Sequence, residues 1–255
     1  MVPVDLTIRE ATSLDDLAAV IGVFEAIWGP DGQPALNITR AMQHAGGYAV
    51  LAEEDDRVVA ASLGFLGREA DGAPLLHSHI TGALADATNR GIGFAVKQHQ
   101  RAWCLERGIH TITWTFDPLV RRNAHFNLCK LGARAIEYHA DFYGAMPDAV
   151  NGGDETDRIV ARWDLAIESS IDAVAPDDAV LVLTAGADGE PVVHDIGGNT
   201  LLHQIPRDYQ DLRRAEPAIG RAWRHAVRKT LGAALGDGYV GTGVTDDGCY
   251  VLRRP

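Results

Sequence analysis

The segment 75–105 constrains the fold most strongly, because a strand pattern there runs through a glycine loop into a helix pattern. The run LLHSHITGAL is typical of a strand, and NRGIG follows it at residues 89–93. Apolar residues then recur at helical spacing, namely Phe94, Val96, Ala102, Trp103 and Leu105. Gly108 ends this pattern, so we expect strand, loop and helix in direct succession.

Two glycines at a helix start need a physical reason, since glycine loses more backbone entropy on folding than any other residue. Gly91 and Gly93 would let a ligand approach the main chain closely. The first amides of a helix lack intrahelical partners, and the helix dipole adds partial positive charge there. The loop is therefore suited to an anion, and a tight turn that only leads into the helix is the alternative.

The charge of the chain excludes one class of partner. The 255 residues carry a formal net charge of -12, which makes nucleic acid a poor partner, so an anionic ligand needs a local binding device. We expect no membrane partner, because no apolar run approaches the ~18 residues of a membrane helix. The N-terminal residues lack a secretory signal pattern, which predicts a cytoplasmic protein.

The cysteine pattern argues against a disulfide framework and against a metal centre. The three cysteines, Cys104, Cys129 and Cys249, are odd in number and widely separated. We therefore expect reduced thiols and no metal.

The predicted elements indicate a mixed α+β fold, with a central mixed sheet flanked by helices. Residues 1–165 give the order β-α-α-β-β-β-α-β-α-β-β. A polar stretch at 166–178 is typical of a linker. Residues 179–255 predict a smaller α+β unit with short strands, a helix over 208–235 restarted at Pro217, and a terminal hairpin. We expect this C-terminal unit to dock on the first domain.

Two motifs carry a family resemblance. Residues 88–93 read TNRGIG, and residues 121–133 read RRNAHFNLCKLGA. In this order of elements, residues 1–165 resemble the GNAT superfamily of acyl-CoA-dependent N-acyltransferases, and the stretches around 112–133 and 141–153 are similar to a bacterial subgroup without an assigned substrate. The family loop has Gln or Arg, two residues, Gly, one residue, then Gly or Ala. Thr88 departs from it at the first position.

The resemblance implies acetyl-CoA, or coenzyme A, as cosubstrate. Its pyrophosphate would bind at the loop and helix start, formed by Thr88, Asn89, Arg90, Gly91, Ile92, Gly93 and Phe94. The strand end, Ala83 and Leu84, would pair with the pantetheine arm and present an amide to the thioester oxygen. Asn123 would either reach the coenzyme or only cap its helix.

His77 and His79 lie two apart on one predicted strand, so their side chains share a face. The resemblance places His77 where several GNAT enzymes carry a glutamate base, and the pair is similar to that of the aralkylamine acetyltransferases. An ordinary histidine pKa of ~6.5 suits removal of a proton from an ammonium, with a rising limb of activity near neutrality. The alternatives are two structural histidines or, less favoured, a zinc site.

The tyrosine that protonates the departing thiolate in many family members is replaced by Leu128. Tyr143, Tyr138 or His125 would substitute for it, or the thiolate would leave unprotonated. Among these we select Tyr143.

Three arginines share one side of the predicted C-terminal helix, Arg221, Arg224 and Arg228. We expect a solvated face paired with acidic residues, and a site for a carboxylate or for the coenzyme's 3′-phosphate is the alternative.

These features predict an N-acetyltransferase that transfers acetyl from acetyl-CoA to a small-molecule amine by direct attack. The alternative is a GNAT-like acyl-CoA-binding or regulatory module that has lost the chemistry, in agreement with Thr88 and Leu128. A dinucleotide enzyme is disfavoured, because one GxG lacks the full fingerprint. The oligomeric state is open, a homodimer included.

Overall fold

The computed structural model describes residues 6–31, 33–144, 154–167, 174–195 and 197–255. The chain divides into two compact units. The first takes its described residues from 1–114, 146–154 and 164–166, and the second from 115–145, 155–163 and 167–255.

The elements of the first unit follow the predicted order. They are β1 (Thr7–Glu10), α1 (Leu14–Trp28), α2 (Leu36–His44), β2 (Tyr48–Glu54), β3 (Arg57–Arg68), β4 (Pro74–Ala83), α3 (Ile92–Leu105) and β5 (Thr111–Phe116). A short 3₁₀ turn, Ala85–Ala87, joins β4 to α3. β1 to β4 pair antiparallel in chain order, and β5 runs parallel to β4. The predicted mixed sheet is confirmed.

Helix α1 packs on the sheet through an apolar stripe. Ser13 and Asp16 form the predicted capping box at its start. Leu17, Val20 and Phe24 are fully buried and belong to one cluster with residues of β2 and β3. A stripe of this kind at 3.6-residue spacing is what holds such a helix on a sheet.

The second unit combines the end of the predicted first domain with the C-terminal segment. Its elements are α4 (Arg121–His125), a π-helical turn (Phe126–Lys130), β6 (Arg134–His139), β7 (Arg158–Asp164), β8 (Val180–Ala185), β9 (Pro191–Val193), β10 (Thr200–Gln204), α5 (Tyr209–Ala215), α6 (Pro217–Val227), a second π-helical turn (Arg228–Gly232), α7 (Ala233–Gly236), β11 (Val240–Val244) and β12 (Cys249–Arg253). Pro217 occupies the predicted first helical position.

The strands of the second unit lie in the order β7-β6-β11-β12-β10-β8-β9. β11 pairs with β6 at Gly241 and Ala135, and a Cβ on Gly241 would lie 2.7 Å from the Ala135 Cβ. The compact units therefore do not follow the predicted boundary at 165, because β6 pairs with a C-terminal strand. The domains 1–165 and 179–255 and the linker 166–178 stay predictions, and residues 168–173 of that linker lie outside the described residues.

Buried ion pairs hold the C-terminal helix within the second unit. Both terminal nitrogens of Arg224 donate to the Asp117 carboxylate at 2.8 Å, and Arg224 is only 1% exposed. Arg228 donates to the fully buried Asp157 at 3.0 and 2.6 Å. The predicted pairing with acids is observed, but the solvated face is wrong for Arg224, which lies inside the unit.

Among the described residues, no helix combines the length and the apolar character needed to cross a membrane.

Gly82 of β4 lies close to the end of α1. A Cβ there would lie 2.6 Å from Ile27 Cδ1 and 2.7 Å from a ring carbon of Trp28. We expect Gly82→Ala to destabilise the fold by about 1–3 kcal/mol through overpacking. Urea unfolding measures this change.

Gly22, in the middle of α1, is the matched control. A Cβ on this exposed glycine meets nothing within 4 Å. Gly22→Ala should therefore stabilise the helix by about 0.5–1 kcal/mol. Equal effects of the two substitutions would contradict the close packing at Gly82.

Candidate functional site

The two histidines of β4 lie together on one face of the strand. Their ring centroids are 6.3 Å apart, and the Phe65 ring of β3 lies 4.9 Å from His77 and 5.9 Å from His79. Both histidines are half-buried. The two histidine side chains therefore share a face of β4, as predicted, and they form an aromatic cluster with Phe65.

A β-bulge shapes β4 at this point. Leu63 pairs with Ile80 and Gly64 pairs with Ser78, so His79 is the extra residue of the ladder. A Cβ on Gly64 would lie 2.9 Å from the His77 carbonyl oxygen, which makes glycine necessary for this close approach. Bulges bend a strand and redirect its side chains, and they are frequent beside active sites.

β4 and β5 pair over a short length only. The parallel register runs from Leu75 with Thr111 to His77 with Thr113. Within the described part of the first unit, residues 78–83 of β4 have strand pairing to β3 alone. The remaining edge of β4 thus presents backbone groups that an extended ligand arm could pair with.

The direction of those backbone groups corrects one prediction. The Leu84 amide donates to the Val59 carbonyl at 2.9 Å, so it is not available to a thioester oxygen. Antiparallel pairs alternate between bonded and non-bonded residues, so Ala83 and Thr81 direct their amides to the open edge. Sequence reasoning missed Thr81, although its two-residue spacing from Ala83 was a signal for it.

The loop between β4 and α3 has the geometry of an anion site made of backbone. Asn89 and Gly91 have φ angles of 61° and 81°, and no side chain caps α3. The first amides of α3, at Ile92 and Phe94 among others, are therefore left without intrahelical acceptors. A Cβ on Gly93 would meet nothing within 4 Å, so the space above this glycine is open.

Two loop side chains are occupied by the protein itself. The Thr88 hydroxyl donates to the Ala85 carbonyl at 2.8 Å. Arg90 donates through both terminal nitrogens to the Glu54 carboxylate, at 2.9 and 2.5 Å. The loop therefore offers amides rather than these side chains, and its open cradle fits a pyrophosphate.

Burial sets the charge of the histidines. It lowers the pKa of His77 to about 4, with smaller contributions from His79 and Lys97, and it also lowers the pKa of His79. The Nδ1 atom of His77 lies 3.2 Å from the Thr113 hydroxyl. Both rings are neutral at pH 7, so the rising limb that we expected near neutrality moves to about pH 4.

The candidate acids lie in the second unit. Tyr143 is 37% exposed, and its hydroxyl lies 3.0 Å from the Thr115 hydroxyl. The Arg158 guanidinium lies 5.3 Å from the centre of the Tyr143 ring. The Tyr138 hydroxyl instead donates to the Asp157 carboxylate at 2.5 Å, and burial with this bond raises the pKa of Tyr138 well above its ordinary value.

Helix α4 and the π-helical turn after it contain three of the predicted residues. Leu128 is fully buried and His125 is half-buried. Asn123 is exposed and is the third residue of α4, whose N-cap is Val120 without a side-chain bond. The capping alternative for Asn123 is therefore wrong.

The predicted site residues thus fall into two sets. The first unit holds the histidines, the open edge of β4 and the glycine loop, whereas the second holds Tyr143 and Asn123. Among the described residues, no group of three or more His, Cys, Asp or Glu side chains could hold a metal ion.

No protein-family model and no curated protein sequence matches the chain. Solved structures do match. Arabidopsis thaliana Naa50, in complex with the bisubstrate analogue CoA-Ac-MVNAL, is 17% identical, covers 62% of this chain and 98% of its own, and has a TM-score of 0.51. This part of the chain has the GNAT acetyltransferase fold.

Two bacterial proteins also match, each with a TM-score of 0.50. The ribosomal-protein-S18-alanine N-acetyltransferase of Escherichia coli is 14% identical, covers 64% of this chain and 96% of its own, and has a TM-score of 0.50. The ribosomal-protein-alanine N-acetyltransferase of Brucella melitensis is 16% identical, covers 62% and 99%, and also has a TM-score of 0.50. About a third of the present chain thus has no counterpart in them.

We expect His77 to titrate near pH 4. The folded state then binds fewer protons at this ring than the unfolded state between that pH and ~6.5, so the wild type loses stability as pH falls through this window. NMR titration of labelled histidines measures the pKa. His77→Gln should lose less stability than the wild type over the same window, and a His77 pKa at or above 6.5 would contradict its buried environment.

Proposed function

We propose that the protein is an acetyl-CoA-dependent N-acetyltransferase that acts on an amine. One observation carries the proposal: within a GNAT fold, a neutral histidine pair lies where the pairing of β4 with β5 ends, and the open edge of β4 leads through a short turn into the uncapped glycine loop of α3.

The loop would hold the coenzyme through its backbone. Amides at Ile92, Gly93 and Phe94 would donate to the pyrophosphate, and the open space at Gly93 would admit it. This arrangement explains how a chain with a net charge of -12 would bind a dianion without a basic surface. When bound, acetyl-CoA supplies an acyl group activated as a thioester.

The open edge of β4 would position that acyl group. The amides of Thr81 and Ala83 face this edge and would pair with the pantetheine arm. One such amide N–H, if it donates a hydrogen bond to the thioester oxygen where negative charge develops, would stabilise the transition state by roughly 3 kcal/mol.

His77 would accept the proton that the attacking nitrogen must lose. Its ring is neutral at pH 7 because of burial, so a free nitrogen is present across the physiological range. The Thr113 hydroxyl at Nδ1 would orient the ring. The nitrogen becomes far more acidic once it has bonded to the acyl carbon, and a weak base then suffices. His79 would extend the path of the proton from the same face.

Tyr143 would protonate the departing thiolate. Its hydroxyl is exposed and near a second hydroxyl, whereas that of Tyr138 is engaged with Asp157. Departure of the unprotonated thiolate is the alternative, since an ordinary thiol pKa is ~8.5.

The acceptor would be a small amine. Two of the similar structures are named for ribosomal-protein alanine acetylation, so peptides with a free N-terminus belong in the acceptor panel beside small amines.

The second candidate is an acyl-CoA-binding or regulatory module without chemistry. Leu128, fully buried where many relatives by fold carry a tyrosine acid, favours it. Tight binding of acetyl-CoA with no release of free thiol for any acceptor would select this candidate.

We expect coenzyme A to raise the melting temperature of the wild type by mass action. Gly93→Val should remove this shift, since its side chain would fill the space that the pyrophosphate needs. Gly22→Val, in the equally open environment of α1, should keep the shift. Thermal melts with and without coenzyme A measure both. A full shift in Gly93→Val would refute the loop assignment.

We expect His77→Gln to lower kcat roughly 100-fold with little change in the affinity for coenzyme A. Glutamine keeps a polar side chain of similar length but accepts no proton. Thiol release at pH 7 with the amine and peptide panel measures kcat, and calorimetry measures the affinity. A wild-type kcat in this variant would contradict the role of His77 as the base and leave it with a structural role.

A further inference from the structure

Helix α3 buries a lysine among neutral groups. Lys97 is only 5% exposed, and its Nζ atom donates to the Ser78 hydroxyl at 2.8 Å and to the Gln100 side-chain oxygen at 3.1 Å. The same atom lies 4.1 Å from the centre of the Trp114 ring. Burial lowers the pKa of Lys97 to about 7.

A lysine in this place is unfavourable for stability alone. Removing an ammonium from water is costly, and neutral hydrogen-bond partners with one aromatic face offset only part of that cost. A methionine of similar length would fill the same space without a charge. Residues that break the rules of core composition are often those that serve a site.

The contacts of Lys97 lie next to the histidine site in the chain. Ser78 stands between His77 and His79, on the opposite face of β4, and it borders the bulge where the ladder register shifts. Trp114 of β5 follows Thr113, the hydroxyl neighbour of His77. Lys97 therefore contacts both strands one residue beyond their last pair, His77 with Thr113.

The helix that carries Lys97 is also the helix that begins at the glycine loop. Lys97 is the sixth residue of α3, about one and a half turns from its first amides. Gln100, one turn further, is fully buried and holds the ammonium through its side-chain oxygen. One side chain thus connects the proposed coenzyme helix to the histidine strand.

We propose that Lys97 is a positioning residue for the reaction proposed above: by fixing Ser78 of β4 and Trp114 of β5, it holds His77 and Thr113 in register at the bulge. The inference rests on the proposed function. Lys97 acts through these neighbours and touches neither the amine nor the acyl group.

The charge of Lys97 also acts on His77. The titratable groups that bear on His77 are His79 on its own strand and Lys97 from α3, while β3 and β5 present Phe65 and Thr113, which do not titrate. Lys97 itself has Cys104 of α3 as its titratable neighbour. Because Lys97 is charged below about pH 7, it opposes protonation of His77 where that ring titrates.

Lys97→Met is the principal test. We expect kcat to fall between about 10- and 100-fold while KM for acetyl-CoA changes by less than about 3-fold, since the loop amides are untouched. The acid limb of the pH profile, and the His77 pKa by NMR, should both rise by about half a pH unit or more. Lys229→Met, which removes an exposed lysine, should leave all of these unchanged.

Ser78→Ala is the second variant, because it removes the acceptor rather than the charge. It should lower kcat in the wild-type background and have little further effect in Lys97→Met, since both changes break one contact. Additive effects of the two substitutions would contradict action through Ser78.

A stability series separates positioning from folding. The pKa of Lys97 is lower in the folded state, so the unfolded state binds more protons between about pH 7 and 10.5. Relative to Lys97→Met, the wild type should therefore gain stability as pH rises through this window. A merely structural lysine would shift stability and leave kcat of the folded protein unchanged.

The outcomes distinguish this inference from the proposed function. A Lys97→Met protein with wild-type kcat and an unmoved acid limb overturns the inference, whereas the proposed function stands. If none of the tested acceptors leads to thiol release by the wild type, the proposed function fails, and the NMR titration then tests the inference. An unchanged His77 pKa and unchanged His77 ring signals in both variants would then overturn it.

Discussion

The structure of the candidate site depends on one constraint, the separation of β4 from β5 after His77. Before that residue β4 is paired on both sides, and beyond it the described residues pair β4 with β3 alone. The bulge at His79 bends the strand at this same point, and Gly64 makes the close approach of β3 feasible. The histidine pair therefore lies where β4 passes from pairing on both sides to an open edge, and the strand then leads to the glycine loop.

Much of this arrangement could be predicted from the sequence, because its signals are local. The alternation in LLHSHITGAL, the spacing of Gly91 and Gly93 and the helical period after them give β4, the loop and α3 in order. The amide direction at Leu84 could not be predicted, because it depends on the register with Val59 on another strand. The compact units differ from the predicted boundary for the same reason, since the pairing of β11 with β6 joins residues that are far apart in the chain.

Burial changes the chemistry of residues whose types were identified correctly. His77 and His79 were expected as ordinary histidines, and their half-buried environment lowers the pKa of both, that of His77 to about 4. Lys97 drew no prediction, because a lysine in an amphipathic helix is usually assigned to the solvent face. Arg224 shows the same effect in the second unit, where its pairing with Asp117 satisfies two charges inside the protein. Residue type predicts what a group can do, and its neighbours decide its protonation state.

The acidic character of the chain places opposite demands on the two proposed substrates. A net charge of -12 attracts a cationic amine and repels the phosphates of a coenzyme. Backbone amides at the start of α3 resolve this conflict, since they attract an anion over a short range only and add no net charge. A neutral histidine at the base position is consistent with the same logic, because a protonated ring beside the amine would repel it and would have no free nitrogen for its proton. Lys97, which donates to Ser78 from α3, adds a smaller contribution to that of burial in lowering the pKa of His77, and it therefore favours the neutral ring.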